Sequence, residues 1–345
     1  MNKEFLYTLL DTMSVSGYEI PIQKKVIGEM KPYCDKIMTD YTGNVISVIN
    51  PDAPFKVLLT GHIDEIGLIV TQIQGDGLIR VARAGGISAN VYPGHQVVIH
   101  GYNQKVYGTV IRNAGTNKSD LRDTDLTIDI GAKDGEDARK YIQEGDPIIL
   151  NTYHQEMLNG YLSARGIDDR AGAFIILEAL KRAKEKGCKA GVYAATTVGE
   201  ETTMRGAYWA GSRIQPDVAV VVDVTYAQDY PGTSPNESGE VSLGKGPVIC
   251  NSSIANRKVN DLLKTCAKKC EIPYQMESFI GGTGTDADKI HFTGTGVVTA
   301  LLSLPLRYMH APSEVCHLDD IEHAIDLLAE FLCSVDENTN FDPFM

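Results

Sequence analysis

Apolar and polar positions recur along the 345-residue chain with two different periods, and the places where the period changes divide it into stretches. Residues 3–13 and 20–32 space their apolar side chains three and four apart, which predicts two amphipathic helices joined by the turn Ser14-Val15-Ser16-Gly17. Residues 36–40 and 44–50 read as strands, with Pro51-Asp52-Ala53-Pro54 as a turn. Val57-Leu58-Leu59-Thr60 is a short apolar run of the kind a buried strand carries, and it leads straight into Gly61-His62-Ile63-Asp64-Glu65.

Between 71 and 162 the texture changes. Strand-like pieces at 77–81, 96–100, 105–111, 125–130 and 147–150 are punctuated by Gly, Pro and Asn, and only 136–143 reads as a helix. This predicts a small β-rich module, PDZ-like or barrel-like, inserted into a larger domain made of 1–70 plus 163–345. The polar stretch 113–125 reads as a loop of that insert. After 163, helices are predicted at 169–186, near 204–211, at 256–270 and at 319–334. Strands are predicted at 191–197, 218–224, 247–252 and 296–302. In the closing helix Ile321, Ile325, Leu328 and Leu332 mark one face. Such alternation predicts an α/β fold, with a mainly parallel central sheet covered by helices on both faces.

Composition adds boundaries to this picture. With 43% hydrophobic and 22% charged residues the chain matches ordinary globular usage, and a net charge of -13 argues against nucleic acid or anionic membrane as partner. No apolar run reaches the roughly 20 residues of a membrane-spanning helix. Met1-Asn2-Lys3-Glu4 lacks the pattern of a signal peptide. The seven cysteines follow no framework spacing and read as reduced thiols, so a cytoplasmic location is expected. Cys266 and Cys270 share a helix face, yet no further His or Cys nearby completes a zinc motif.

Candidate chemistry gathers where strands end, which is where open α/β sheets bind ligands. His62 and Asp64 follow the strand 57–60, Glu200 and Glu201 follow 191–197, Asp223 closes the run 218–222, and His310 follows 296–302. Asp168 precedes its helix within Gly166-Ile167-Asp168-Asp169-Arg170-Ala171-Gly172. Singly, each has an ordinary meaning. A carboxylate at a helix start is commonly a cap, a lone histidine is more often a satisfied core residue, and a glutamate pair is usually a solvated turn. Asp223 is harder to set aside, because an ionised group beside a buried strand needs a partner. Together, imidazoles and carboxylates converging on one sheet edge suit divalent cations. Asp168 is placed to serve two of them.

Gly61-His62-Ile63-Asp64-Glu65-Ile66-Gly67, Ile167-Asp168-Asp169-Arg170-Ala171-Gly172, Val198-Gly199-Glu200-Glu201, Asp223-Val224-Thr225 and Arg307-Tyr308-Met309-His310-Ala311-Pro312 resemble, in order, the signature segments of the tetrahedral aminopeptidases. These form the glutamyl and deblocking aminopeptidase family of dinuclear metallopeptidases. The resemblance spans nearly the whole chain, insert included. It implies two divalent ions per subunit, Zn²⁺ or Co²⁺ and otherwise Mn²⁺, with His62 and Asp223 on one, Glu201 and His310 on the other, and Asp168 bridging. It implies Glu200 as general base and Asp64 as the carboxylate that orients His62, a role with its own physical rationale. A cis peptide after the bridging aspartate is expected between Asp168 and Asp169. The resemblance also implies cleavage after the first residue of short peptides with a free amine, and homodimers, built through the insert, that assemble into dodecamers.

Substrate-binding residues are not assigned, although Gly281-Gly282-Thr283-Gly284-Thr285-Asp286-Ala287 lies where the family places a substrate-contacting loop. No lysine follows it in the order a phosphate-binding loop requires. Other readings of the same scaffold are a dipeptidase, a carboxypeptidase or an amino-acid deacylase. An endoglucanase label has also been attached to the family, but glycosidases work with paired carboxylates and need no metal. A non-catalytic assembly protein with a vestigial site is the alternative from another class, and every expected ligand and the base are present.

Overall fold

The computed structural model describes residues 1–102, 104–111, 121–234 and 239–345. The chain opens with α1 (Lys3–Asp11) and α2 (Ile20–Met30), then β1 (Lys36–Thr39), β2 (Val45–Ile49) and β3 (Lys56–His62). Six strands follow: β4 (Gly67–Ile73), β5 (Ile79–Ala84), β6 (Gln96–His100), β7 (Lys105–Val110), β8 (Thr127–Asp129) and, after the short α3 (Gly135–Ala138), β9 (Pro147–Leu150). Next come β10 (Gln155–Glu156), β11 (Tyr161–Ala164), α4 (Ile167–Glu185), β12 (Gly191–Thr197), α5 (Glu200–Thr203) and α6 (Arg205–Ile214). The chain finishes through β13 (Val218–Tyr226), β14 (Val248–Asn251), α7 (Arg257–Lys269), β15 (Gln275–Ser278), α8 (Ala287–Ile290), β16 (Val298–Leu306), β17 (Glu314–His317) and α9 (Leu318–Cys333).

The central sheet has the order β1-β2-β12-β3-β13-β16-β14-β15. Its middle strands β12, β3, β13 and β16 run parallel, as expected, but the flanks are mixed. β1 returns antiparallel to β2 because residues 40–44 make a tight turn. Asp40 Oδ1 accepts the amides of Thr42, Gly43 and Asn44 there. β2 meets β12 antiparallel, and β14 meets β16 antiparallel. Side chains alternate across the sheet. Val57, Leu59, Val192, Val218, Val220 and Leu302 face α1, α2, α4, α7 and α9, whereas Leu58, Tyr193, Ala195, Val221 and Leu301 face α6 and α8. Helices thus cover both faces, and the middle strands read as unbroken apolar runs because neither side meets water.

β4-β5-β8-β7-β6-β9 close into a barrel, every neighbouring pair antiparallel, around a core that includes Leu68, Val81, Val97, Ile128 and Ile148. Met13, Val15, Ala84, Val98 and Ile149 seat it against the turn between α1 and α2. The helix expected at 136–143 is shorter than its pattern. α3 ends at Ala138, Ile142 drops fully into the barrel core, and Gln143 N–H bonds Asp146 Oδ2 instead of continuing the helix. Of the polar stretch 113–125, residues 113–120 lie outside the described residues. Among the described residues no helix is long and apolar enough to cross a membrane, and the seven cysteines are free thiols.

Candidate metal centre

Strand register delivers the site. His62 ends β3 beside Thr197, the last residue of β12, and Val221 of β13 stands opposite Thr60, which sets Asp223 alongside His62. α4 packs so closely on β3 that a Cβ at Gly61 would lie 2.6 Å from the Ala173 nitrogen, so only glycine allows the helix start to reach the strand end. The first residues of α4 are not helical: Asp168 has φ -68° and ψ 109°, and the Asp168–Asp169 peptide is cis. Beyond β16 the chain turns over Tyr308 and His310, both left-handed at φ 61° and 62°, a conformation uncommon outside glycine and concentrated at functional sites. Arg307 anchors that turn with two 2.7 Å bonds to Asp229.

His62, Asp168, Glu200, Glu201, Asp223 and His310 line one cleft of about 560 Å³. At its centre the Asp168 carboxylate lies between two imidazoles, Oδ1 3.1 Å from His62 Nε2 and Oδ2 3.1 Å from His310 Nε2. Glu201 Oε2 is 3.6 Å from His310 Nε2, and Glu200 Oε2 is 3.7 Å from His62 Nε2. The far nitrogens are also engaged: His310 Nδ1 lies 2.9 Å from the Gly86 carbonyl and His62 Nδ1 3.1 Å from the Asp64 carbonyl. The Asp64 carboxylate stands 3.6 Å from His62 Nδ1, so the backbone oxygen of the same residue makes the closer contact. That carboxylate accepts the amides of Glu200 at 3.1 Å and Glu201 at 3.3 Å, fixing the start of α5 from behind the cleft.

Sequence reasoning missed the acidic groups that frame the cluster. Glu314 accepts the amides of both His310 (2.9 Å) and Asp168 (3.2 Å), and Asp169 accepts those of His62 (3.1 Å) and Gly172 (3.2 Å). Asp286 accepts a bond from Thr197 Oγ1. Their signal was present but quiet: Glu314 follows His310 by four residues, and Asp286 sits in the glycine-rich loop. Gly86 was missed as well. A Cβ there would sit 3.0 Å from the His310 ring.

Crowded carboxylates set the electrostatics. Burial, reinforced by Asp223, Asp286 and Asp168 against the opposing pull of His62, pushes Glu200 up to about 9. Burial, again against His62 but with Asp168, pushes Asp223 up to about 8. Burial and Asp168 hold Glu201 well above the carboxylate range. Burial opposes charge on His62, yet the carboxylates around it, Asp168 and Asp64 foremost, hold its pKa well above the usual value. Burial likewise opposes charge on Asp168, but its two imidazole partners hold it below the usual range.

The donor set fits divalent cations. His62, Asp168 and Glu201 bring one ligand atom each within 4.8 Å of the others, as do His62, Asp169 and Asp223. Two donors bound about 2.1 Å from one ion stand roughly 3 Å apart. Glu200 Oε1 and Glu201 Oε1 are buried without a hydrogen-bond partner. Excess negative charge, orphaned oxygens and two oriented imidazoles are all satisfied by added positive charge at this point.

The mixed α/β sheet, the closed barrel alongside it and the cluster at the sheet's carboxyl edge are shared with a class of peptide hydrolases, the aminopeptidases. Residues 43–327 match the M42 glutamyl aminopeptidase family, and the chain belongs to it. The lysyl aminopeptidase of Pyrococcus furiosus is 32% identical, with 95% of this chain and 96% of that protein covered. The TET aminopeptidase of a marine-sediment thaumarchaeon superposes with a TM-score of 0.91 at 31% identity, covering 97% and 96% of the two chains. The Pyrococcus horikoshii TET1 peptidase, which can assemble into a tetrahedron or a large octahedral shell, gives 0.86 at 30% identity over 96% and 99%.

Proposed function

We propose that the chain is a dinuclear, metal-dependent aminopeptidase that removes the first residue of short peptides. The observation that carries this reading is the Asp168 carboxylate, one oxygen 3.1 Å from each of two imidazoles whose far nitrogens are occupied elsewhere. His62 and Asp223 would hold one cation, Glu201 and His310 the other, and Asp168 both; zinc, cobalt or manganese suits these donors. Such a pair of ions supplies a water of lowered pKa and a polarised substrate carbonyl. Glu200 then takes a proton from the attacking water and passes it to the nitrogen of the leaving peptide as the C–N bond breaks. Asp64 holds the Glu200 and Glu201 amides, so the base and its neighbouring ligand keep separate aims. The carboxylates of the cleft suit a free α-ammonium group, which restricts cleavage to the chain end.

We further infer that the insert at 71–162, which carries most of the barrel, joins subunits into dimers and then dodecamers, while 1–70 plus 163–345 form the catalytic domain. Tyr102 and Tyr107, both 60% exposed, offer apolar area for that contact. Chelation followed by reconstitution with Zn²⁺, Co²⁺ or Mn²⁺ tests the chemistry on a panel of aminoacyl p-nitroanilides with N-acetylated controls. Activity is expected to vanish with the metal, return with it, and be absent on every acetylated substrate. Full activity after chelation, or equal cleavage of acetylated substrates, contradicts the reading.

A further inference from the structure

One carboxylate in the cleft takes no part in this chemistry. Glu277 lies on the edge strand β15 and lines the same cleft as His62, Asp168 and Asp223, yet it is only 3% exposed. Its Oε2 accepts the Thr225 hydroxyl at 2.6 Å and its Oε1 the Ser303 hydroxyl at 3.3 Å. Among the described residues no Lys, Arg or His pairs with it. A buried carboxylate held by two hydroxyls and by no cation is costly, because buried charges are ordinarily paired. Burial raises its pKa and the two hydroxyls only partly counter that. A cation arriving from outside would complete the arrangement.

Register places this acid relative to the reacting centre. Ser303 stands opposite Asp223 in the β13–β16 ladder, and Thr225 lies two positions beyond Asp223 on the same face of β13. Two strand positions span about 7 Å, so an acid held by both partners lies within reach of an extended lysyl side chain that starts at Asp223. The same cleft is lined by apolar Leu301, Phe279 and Met309 as well as by Glu277. An aliphatic stem fits the former and a cationic head the latter.

We infer that Glu277 is a specificity-determining residue that selects substrates whose first residue is lysine or arginine. This rests on the aminopeptidase reading and adds the substrate class to it. The side-chain cation of the first residue meets Glu277 while the scissile carbonyl lies at the Asp168 cluster. Acidic first residues are rejected by the same carboxylate. Thr225 and Ser303 position the acid and touch no substrate.

The test compares kcat/KM of the metal-loaded enzyme for lysyl, arginyl, leucyl and glutamyl p-nitroanilides, in the wild type and in Glu277→Gln. Wild type is expected to prefer lysyl over leucyl by about 10-fold or more, the order a charge-assisted contact supplies, and the isosteric variant to bring that ratio near one. A second readout needs no variant: free L-lysine should inhibit the wild type more strongly than L-norleucine, which has the stem without the ammonium group. Equal inhibition by the two amino acids, no lysyl preference in the wild type, or a preference that survives in Glu277→Gln overturns the inference. Should Glu277 bind the α-ammonium group instead, the variant would lose all substrates equally and the ratio would not move, which also overturns it. Cleavage of leucyl substrates without a lysyl preference sinks this inference alone, whereas cleavage of no aminoacyl substrate sinks the aminopeptidase reading with it.

Discussion

Individual side chains here are held in charge states that water would not give them. His100, at the end of β6 in the barrel, shows the effect away from the cleft: its Nε2 is buried without a partner. Burial, with Lys105 and Arg165 adding to it, pushes its pKa down to about 4. The folded protein therefore keeps this imidazole neutral where the unfolded chain would take a proton. Its contribution to stability is complete above the unfolded value near 6.5 and is lost as pH falls from there towards about 4. Urea midpoints measured between pH 7 and pH 4.5 should fall more steeply for the wild type than for His100→Gln; parallel curves would show that His100 is not held neutral. In the cleft the same physics acts with the opposite sign on carboxylates. Glu200 and Asp223 are pushed to about 9 and about 8, burial being the largest cause for each. Cations of the kind the ligand set fits would reverse that.

At the scale of elements, the site depends on a buried ion cluster that ties three segments together. Glu65, 2% exposed, pairs with Arg165 and Arg170, which are 4% and 0% exposed. Arg170 also donates to the Thr12 carbonyl at 2.6 Å and the Gly166 carbonyl at 2.8 Å, while Glu65 Oε1 accepts the Ser14 amide at 3.0 Å. The turn after α1, the end of β3 and the start of α4 are thereby fixed together, and His62 and Asp168 sit within three residues of the cluster. Glu65→Gln leaves two buried guanidinium groups without a counter-charge, which costs about 3–5 kcal/mol. Urea denaturation reads that loss; a change below about 1 kcal/mol would mean that the cluster contributes little. Long elements were legible from the sequence because their patterns agree with their burial: the apolar runs of β3, β12 and β13 are buried on both faces, and Ile321, Ile325, Leu328 and Leu332 of α9 are all buried. Short ones were not. α3 stops where Ile142 leaves the helix for the barrel core, and β17 is four residues whose pairing with β11 no local pattern announces. The site followed the same rule. His62, Asp168, Glu200, Glu201, Asp223 and His310 stand at ends of elements the periodicity marks. Glu277 and Glu314 take their meaning from partners 52 and 4 residues away, Thr225 and His310 respectively.

Across the whole molecule the architecture separates tasks. Four parallel strands bring their carboxyl ends to one edge, helices on both faces seal the sheet, and the segment that follows β5 of the barrel brings the Gly86 carbonyl to His310. Membership of the M42 family and the likeness to TET aminopeptidases fix the class of chemistry. The particular arrangement around Asp168 carries the proposal that two cations share one carboxylate while Glu200 moves the proton. That division of labour makes a direct demand of one variant. Glu200→Gln keeps the shape of the side chain and removes its basicity, so metal content by elemental analysis and turnover can be read on the same preparation. The account predicts two ions per chain, as in the wild type, with kcat lowered about 10²–10⁴-fold. Turnover within a few-fold of the wild type at full metal content would contradict it.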